Sequence, residues 1–245
     1  MIFWGITDKG KLRPNNEDAF FMPDNNEEPL VFIVADGMGG HNGGEIASRI
    51  AVDEISSYLY NKKEKLYKED EIKELIKEAF YFANKKILEK SYSDSECLGM
   101  GTTSTVAVIV QKKLFVGHLG DCRLYIIRNQ NINQITKDHS LVWELMEQGK
   151  INFEEMKLHP MKHIITKALG IEEFSDPDIL KVYLEKGDVI LICSDGLTSM
   201  LSDLEIKDVV EKNKDPEEIC KELVNFANEK GGYDNITVVT IIIDY

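Results

Sequence analysis

The chain has 245 residues, 43% of them hydrophobic and 29% charged, and a net charge of −14. That length supports one sizeable core, and the composition is that of a folded globular chain. The acidic balance, with no block of lysine and arginine, argues against nucleic acid and anionic membrane as partners. No apolar run approaches the roughly 18 residues needed to cross a bilayer, and the first residues lack a basic leader. Cys97, Cys122, Cys193 and Cys220 form no Cys-x-x-Cys pair, which is expected of reduced thiols in a cytoplasmic protein.

Residues 2–7 read as a first strand, followed by a polar stretch, 11–18, that carries Arg13, Glu17 and Asp18. The spacing from Gly5 to Lys11 matches a phosphate loop. Leu12 stands where a hydroxyl would hold magnesium, however, and Pro14 breaks the required helix, so the match is accidental. Residues 31–35 form an apolar strand that runs into Asp36 and then Gly37, Gly39 and Gly40. A strand ending on an acid and dissolving into glycines holds a carboxylate on a rigid element and lets backbone come close to whatever it binds.

A helix is expected from Gly43 to about Tyr60, and a second from about Asp70. The apolar spacing of Ile72, Leu75, Ile76, Ala79, Phe80, Ala83 and Ile87 buries one stripe of the second helix. Residues 102–110, 113–120 and 122–128 are three β-rich runs joined by tight connections, read as an antiparallel meander. Residues 138–170 carry one expected helix, 141–148, together with His159 and His163. A segment with so few signals between defined strands is a candidate flap.

Residues 179–184 and 189–193 read as a further hairpin turning at Gly187 and Asp188, and the second run ends in Ser194, Asp195 and Gly196. Ser202 with Glu205, and Asp215 with Pro216 and Glu218, mark two helix starts, and Gly231 closes the second helix. Asp234 then precedes a last strand, 236–243. The order predicts an α+β fold with largely antiparallel sheet and helices packed outside, as one domain over residues 1–245.

Asp18, Asp36, Asp121, Asp195 and Asp234 share a setting beside strands. Each alone is read most simply as a turn aspartate. Gathered at one sheet edge, they would repel and raise one another's pKa unless cations compensate. An all-oxygen donor set suits Mg²⁺ or Mn²⁺. A pair of such ions could stabilise in-line attack on a phosphoryl group, which Arg13 could clamp with its planar fork. The alternative for Arg13 is an ordinary surface arginine.

Six stretches, in order, carry a resemblance: Arg13 with Asn16 to Asp18, Ala35 to His41, Gly101 to Thr103, Gly117 to Arg123, Cys193 to Leu197, and Gly232 to Thr237. Together they resemble the metal-dependent serine/threonine protein phosphatases of the type 2C (PPM) family, in its compact bacterial form. The resemblance implies a central β-sandwich of two antiparallel sheets flanked by helix pairs (α-β-β-α), with a binuclear centre at one edge. It also implies two Mn²⁺ or Mg²⁺ ions, with a third, weaker site. By the same resemblance Asp36 bridges the metals, the Gly37 carbonyl ligates one, and Asp195 and Asp234 bind the other. Glu17 and Asp18 act through water, Arg13 holds the substrate phosphate, and Asp121 with Asp195 forms the third site. Residues 138–170 correspond to the family's variable flap.

Some relatives place a histidine directly after the Asp-Gly pair as general acid; here that residue is Met38. The acid is left open between His41 and water, with a structural role for His41 as the alternative. His118 and His139 are read as scaffold or flap residues. The implied substrates are phosphorylated proteins and the implied counterpart is a serine/threonine kinase, with a monomer as the default. Two rivals stand beside this reading. One is a phosphoprotein-binding module without turnover; the other is a phosphatase of the sigma-factor regulatory branch. Cys122 and Arg128 also satisfy the Cys-x5-Arg spacing of cysteine phosphatases, but the bulky residues between them suit a strand, not a phosphate loop.

Overall fold

The structure, a computed structural model, describes residues 1–39 and 43–245. In chain order the first elements are β1 (Ile2–Asp8), β2 (Asp18–Phe21), β3 (Leu30–Met38), α1 (Gly43–Asn61) and α2 (Glu69–Ser93). Then come β4 (Gly101–Thr102), β5 (Ser104–Val110), β6 (Lys113–Leu119), β7 (Arg123–Arg128), β8 (Asn131–Gln134), α3 (Leu141–Glu147) and α4 (Phe153–Leu158). The rest are β9 (Asp178–Tyr183), β10 (Val189–Cys193), α5 (Asp195–Thr198), α6 (Asp203–Lys212), α7 (Pro216–Glu229) and β11 (Ile236–Ile242).

Two antiparallel sheets result, one ordered β1-β11-β10-β7-β8 and the other β2-β3-β5-β6-β9, with β4 paired to β3. β3 shows why they stack. Side chains alternate across a strand. Val31, Ile33 and Ala35 pack with α1 and α2, while Leu30, Phe32 and Val34 enter the space between the sheets. In the other sheet, Ile190, Ile192, Val239 and Ile241 face that same inner space. Leu191, Cys193, Ile236 and Val238 face α6 and α7. Both faces of the central strands are therefore dry, which is why the run 31–35 is apolar throughout instead of alternating. The layers are helix, sheet, sheet, helix, as expected.

The expected meander is only half present. β5 and β6 pair with each other, but β7 pairs with β10 and β8 in the opposite sheet. The chain crosses between sheets at Gly120, whose φ of +105° admits a turn closed to most side chains. The expected 179–193 hairpin is likewise a crossing: β9 pairs with β6, and β10 with β7 and β11. Its turn is pinned by the Gly187 N–H donating to the Ile243 carbonyl (2.7 Å) and by Arg128 clasping the buried Asp188 carboxylate through Nε and Nη2, both at 2.6 Å.

Strands β2 and β8 carried too little apolar signal to be expected, and α4 lies in the segment read as a flap with one helix. The helix starts hold. Ser202 accepts from the Glu205 N–H in a capping box, and Asp215 accepts from Glu217 and Glu218 ahead of the first-turn Pro216. The 138–170 segment is tied down by isolated bridges, Ser140 to Ile165 and Thr102 to Leu169.

Gly117, on β6, is where α2 lies closest to its sheet: a Cβ there would stand 2.5 Å from Ile76 and 2.9 Å from Phe80. Gly117→Val should lower the urea midpoint by an amount equivalent to about 1–3 kcal/mol through overpacking. An unchanged midpoint would show that the α2 contact is soft.

Candidate active site

Five acids stand at one end of the sandwich because five chain segments begin, end or cross there. Asp18 opens β2 and lies opposite Asp36 near the end of β3. Asp195 follows β10 at the start of α5, and Asp234 lies just ahead of β11. Asp121 sits in the crossing from β6 to β7.

Asp36 feels repulsion from all of the others. Burial first, then Asp18, Asp195, Asp121 and Asp234, holds its pKa well above the ordinary carboxylate range. Asp121 is also held well above by burial, then by Asp195 and Asp138. Burial pushes Asp18 up to about 7, although hydrogen bonds from Thr237 and Ser194 oppose the shift. Asp195 is raised by burial and by Asp234, while a hydrogen bond shared with Asp36 eases it. Acids crowded in this way share protons unless positive charge is supplied.

The backbone is shaped to allow the crowding. A Cβ on Gly37 would lie 2.1 Å from the Gly44 carbonyl oxygen and 2.6 Å from that of Glu17, so only glycine lets β3 and the start of α1 meet here. A Cβ on Gly44 would collide with the Glu17 carboxylate at 2.7 Å. Thr102 and Thr103 fix Asp36 from the other side: the Thr102 hydroxyl donates to the Asp36 carbonyl (2.8 Å), and the Asp36 N–H donates to Thr103 Oγ1 (3.1 Å).

Asp18 Oδ2 accepts from Ser194 Oγ and Thr237 Oγ1, both at 2.7 Å. Asn235, within the stretch Gly232 to Thr237 but given no role there, ties the site together. Its Oδ1 accepts from the Glu17 N–H (2.8 Å), and its Nδ2 donates to the carbonyls of Lys9 (2.8 Å) and Asn15 (2.9 Å). The loop carrying Arg13 thus hangs from the same turn as Asp234. Arg13 Nη2 bonds Asp234 Oδ2 at 2.6 Å.

These residues fit a hard divalent cation. Asp18 Oδ1 and Asp121 Oδ1 are buried without a hydrogen-bond partner. Among the described residues Arg13 is the one cation bonded to any of the five acids. No three histidine, cysteine or acidic side chains among the described residues form a ready-made cage. Mg²⁺-type ions do not require one, since they keep several waters and bind through one or two carboxylates.

His163, in the 138–170 segment, is close enough to Asp195 to stabilise its charge, a placement that no local pattern signals. His118 is buried and bridges Thr105 Oγ1 (2.9 Å) and the Lys137 carbonyl (3.0 Å), and burial and then His139 push its pKa down to about 4. His139 stacks on it at 4.9 Å and accepts from the Gly120 N–H at 3.1 Å, so both histidines brace the Asp121 crossing as scaffold. His41 lies outside the described residues. Cys122 immediately precedes β7 and Arg128 ends it; burial holds the thiol pKa far up, and the arginine is spent on Asp188 and Glu185. That geometry removes the cysteine-phosphatase reading.

One edge of the sandwich thus gathers clustered carboxylates and an arginine. The protein phosphatase 2C family profile matches residues 13–237. The serine/threonine phosphatase stp of Listeria monocytogenes serotype 4b (strain F2365) is 36% identical over 235 residues, 96% of this chain and 93% of that protein. The solved serine/threonine phosphatase of S. agalactiae superposes with a TM-score of 0.92 at 37% identity, covering 99% of each chain. The catalytic domain of the phosphatase PstP, solved with 2 manganese ions, gives 0.83 at 30% identity, covering 99% of this chain and 98% of that one. The chain belongs to the protein phosphatase 2C family.

Raised carboxylate pKa values set the sign of the pH dependence. In chelator the native state retains protons that the unfolded chain has released, so stability should fall as pH rises from about 6.5 through 7, as Asp18 loses its proton. Below about 6.5 the buried neutral His118 opposes that trend. Asp36→Asn should raise metal-free stability at pH 8 by about 1–2 kcal/mol. It should also remove most of the stabilisation, about 2.7 kcal/mol at a hundredfold excess over Kd, that Mn²⁺ gives the wild type. A less stable metal-free Asp36→Asn protein would show that repulsion does not dominate this edge.

Asn235→Ala leaves the Glu17 N–H and two carbonyls without their partner. It should cost about 2–3 kcal/mol, read by urea denaturation. A loss under 0.5 kcal/mol would mean that the Arg13 loop is held by other bonds.

Proposed function

We propose that the chain is a serine/threonine protein phosphatase that uses divalent cations to hydrolyse phosphoserine and phosphothreonine on proteins. The observation that carries this is the set of mutually repelling, partly unpartnered acids at the sandwich edge with Arg13 beside them. Family membership and the manganese-bound relative support it.

Asp36, the Gly37 carbonyl, Asp195 and Asp234 are the groups that would hold two ions, Mn²⁺ or Mg²⁺. Asp121 with Asp195 would hold a third. When bound, such ions supply a hydroxide at neutral pH and positive charge against the phosphoryl oxygens. Glu17 and Asp18 orient water through their carboxylates. Arg13, mounted on the loop that Asn235 anchors, presents its planar fork to the phosphate and thereby fixes its orientation. The thioether of Met38 has no proton to give, so the leaving alkoxide takes its proton from water or from His41.

The whole of 1–245 works as one catalytic domain, with 138–170 as a flap beside the site. Its counterpart is a serine/threonine kinase, and it acts in the cytoplasm as a monomer. The four cysteines are free and buried, as suits a reducing compartment. No helix among the described residues is long and apolar enough to cross a membrane.

The test is hydrolysis of p-nitrophenyl phosphate and of a phosphothreonine peptide with Mn²⁺ or Mg²⁺, then with excess EDTA. Turnover should vanish in EDTA and fall by roughly a hundredfold or more in Asp195→Asn. Cys122→Ser should stay within about twofold of wild type. Turnover indifferent to EDTA would sink the metal mechanism.

A further inference from the structure

The loop that carries Arg13 has features that phosphoryl chemistry does not use. It is stitched to the turn that carries Asp234. The N–H groups of Lys11 and Leu12 both donate to the Gly232 carbonyl, at 2.8 and 3.3 Å. At Gly10, φ is +74°, and a Cβ would lie 2.1 Å from the Asp234 carbonyl oxygen. These bonds make the two segments a built wall on one side of the site.

That wall presents large apolar groups to water. Leu12 is 66% exposed and Tyr233 59%. The Tyr233 ring lies back over Gly231, where a Cβ would come within 2.8 Å of two ring carbons. Pre-positioned exposed aromatics give contact area at low entropic cost. Lys9 and Lys11 flank them, both exposed, and neither has an ion-pair partner among the described residues. The nearest acid in sequence, Asp8, makes no ion pair with either, and its Oδ1 accepts from the Gly10 N–H (2.8 Å) and from Asn228 Nδ2 (3.0 Å). Two unpaired lysines and two uncovered apolar side chains thus stand on the two loops that carry Arg13 and Asp234.

We infer that this wall reads the substrate residues flanking the phosphorylated side chain, favouring segments with an anionic group near the phosphoresidue and an apolar residue to lie on Leu12 and Tyr233. The inference rests on the phosphatase reading above, with the phosphate at Arg13, and continues that site outward along its wall. Lys9 and Lys11 supply the local charge complementarity that selects the anion, against the acidic surface around them. The anion is a glutamate or aspartate carboxylate or a second phosphate.

The test uses matched phosphothreonine peptides whose neighbouring positions carry Glu, Gln, Lys or a second phosphothreonine, with p-nitrophenyl phosphate as a substrate without flanking residues. Wild type should prefer the Glu and doubly phosphorylated peptides over the Lys peptide by about tenfold in kcat/KM, and the margin should shrink at high salt. In Lys9→Glu/Lys11→Glu the ratio should invert. Lys11→Gln, a milder change, should reduce it severalfold if the double variant fails to fold. Tyr233→Ala should lower kcat/KM severalfold for peptides with a flanking Leu relative to those with a flanking Ser. A gain on the doubly phosphorylated peptide alone would identify the anion as phosphate; a gain on both would admit carboxylate. Equal kcat/KM in wild type for the Lys peptide and both anionic peptides, or an unchanged ratio in the variants, would overturn the inference. Failure of the phosphatase reading looks different: wild type with Mn²⁺ would not turn over p-nitrophenyl phosphate at all.

Discussion

Repulsion among buried carboxylates is the constraint on which the rest of this structure depends. Asp36 is pressed by Asp18, Asp195, Asp121 and Asp234 at the end of a sandwich whose strands cannot easily move apart. Left free, the acids would protonate or swing into water. Here the central strands of the two sheets, dry on both faces, supply the rigidity that keeps them together, and few cations stand near enough to offset the repulsion. The site is unfavourable by itself, a state that binding of cations would relieve.

Holding that edge shut requires a shell with little freedom. Gly37 and Gly44 permit backbone contacts that any side chain would block, and Thr102, Thr103, Ser194 and Thr237 supply the hydroxyls that orient Asp36 and Asp18. Asn235 adds a long-range tie by satisfying backbone groups at Lys9, Asn15 and Glu17 with one side chain. On the other side, His118, His139 and the Arg123–Asp138 pair brace the crossing that carries Asp121. Stability and function thus oppose each other at the acids and cooperate in the shell around them.

The candidate site was legible in the sequence to the extent that its acids sit beside strands in a repeated setting. Asp36 after 31–35 and Asp195 after 189–193 could be found that way, and the six ordered stretches together pointed to the family. Asn235 and His163 could not. An asparagine that caps three backbone groups from distant segments leaves no local signature, and the approach of His163 to Asp195 depends on how the 138–170 segment folds back. Lys9, Lys11, Leu12 and Tyr233 looked like ordinary loop residues until the Gly232 bonds brought their two loops together.

The amino-acid sequence by itself determined the elements whose signals are local: the apolar central strands, the buried stripe of α2, the capped starts of α6 and α7, and the strand-end acids. Periodicity and capping act within one or two turns of chain, so they can be read from the chain alone. Which sheet each strand joins was decided only in three dimensions. The runs at 113–119 and 123–128 look like neighbours in a meander, yet they belong to opposite sheets. Likewise 178–183 and 189–193 look like a hairpin but are a crossing. Pairing depends on which apolar faces meet across the sandwich and on a turn such as Gly120 that lets the chain change layers. That change of layers carries Asp121 to the same edge as Asp36 and Asp195.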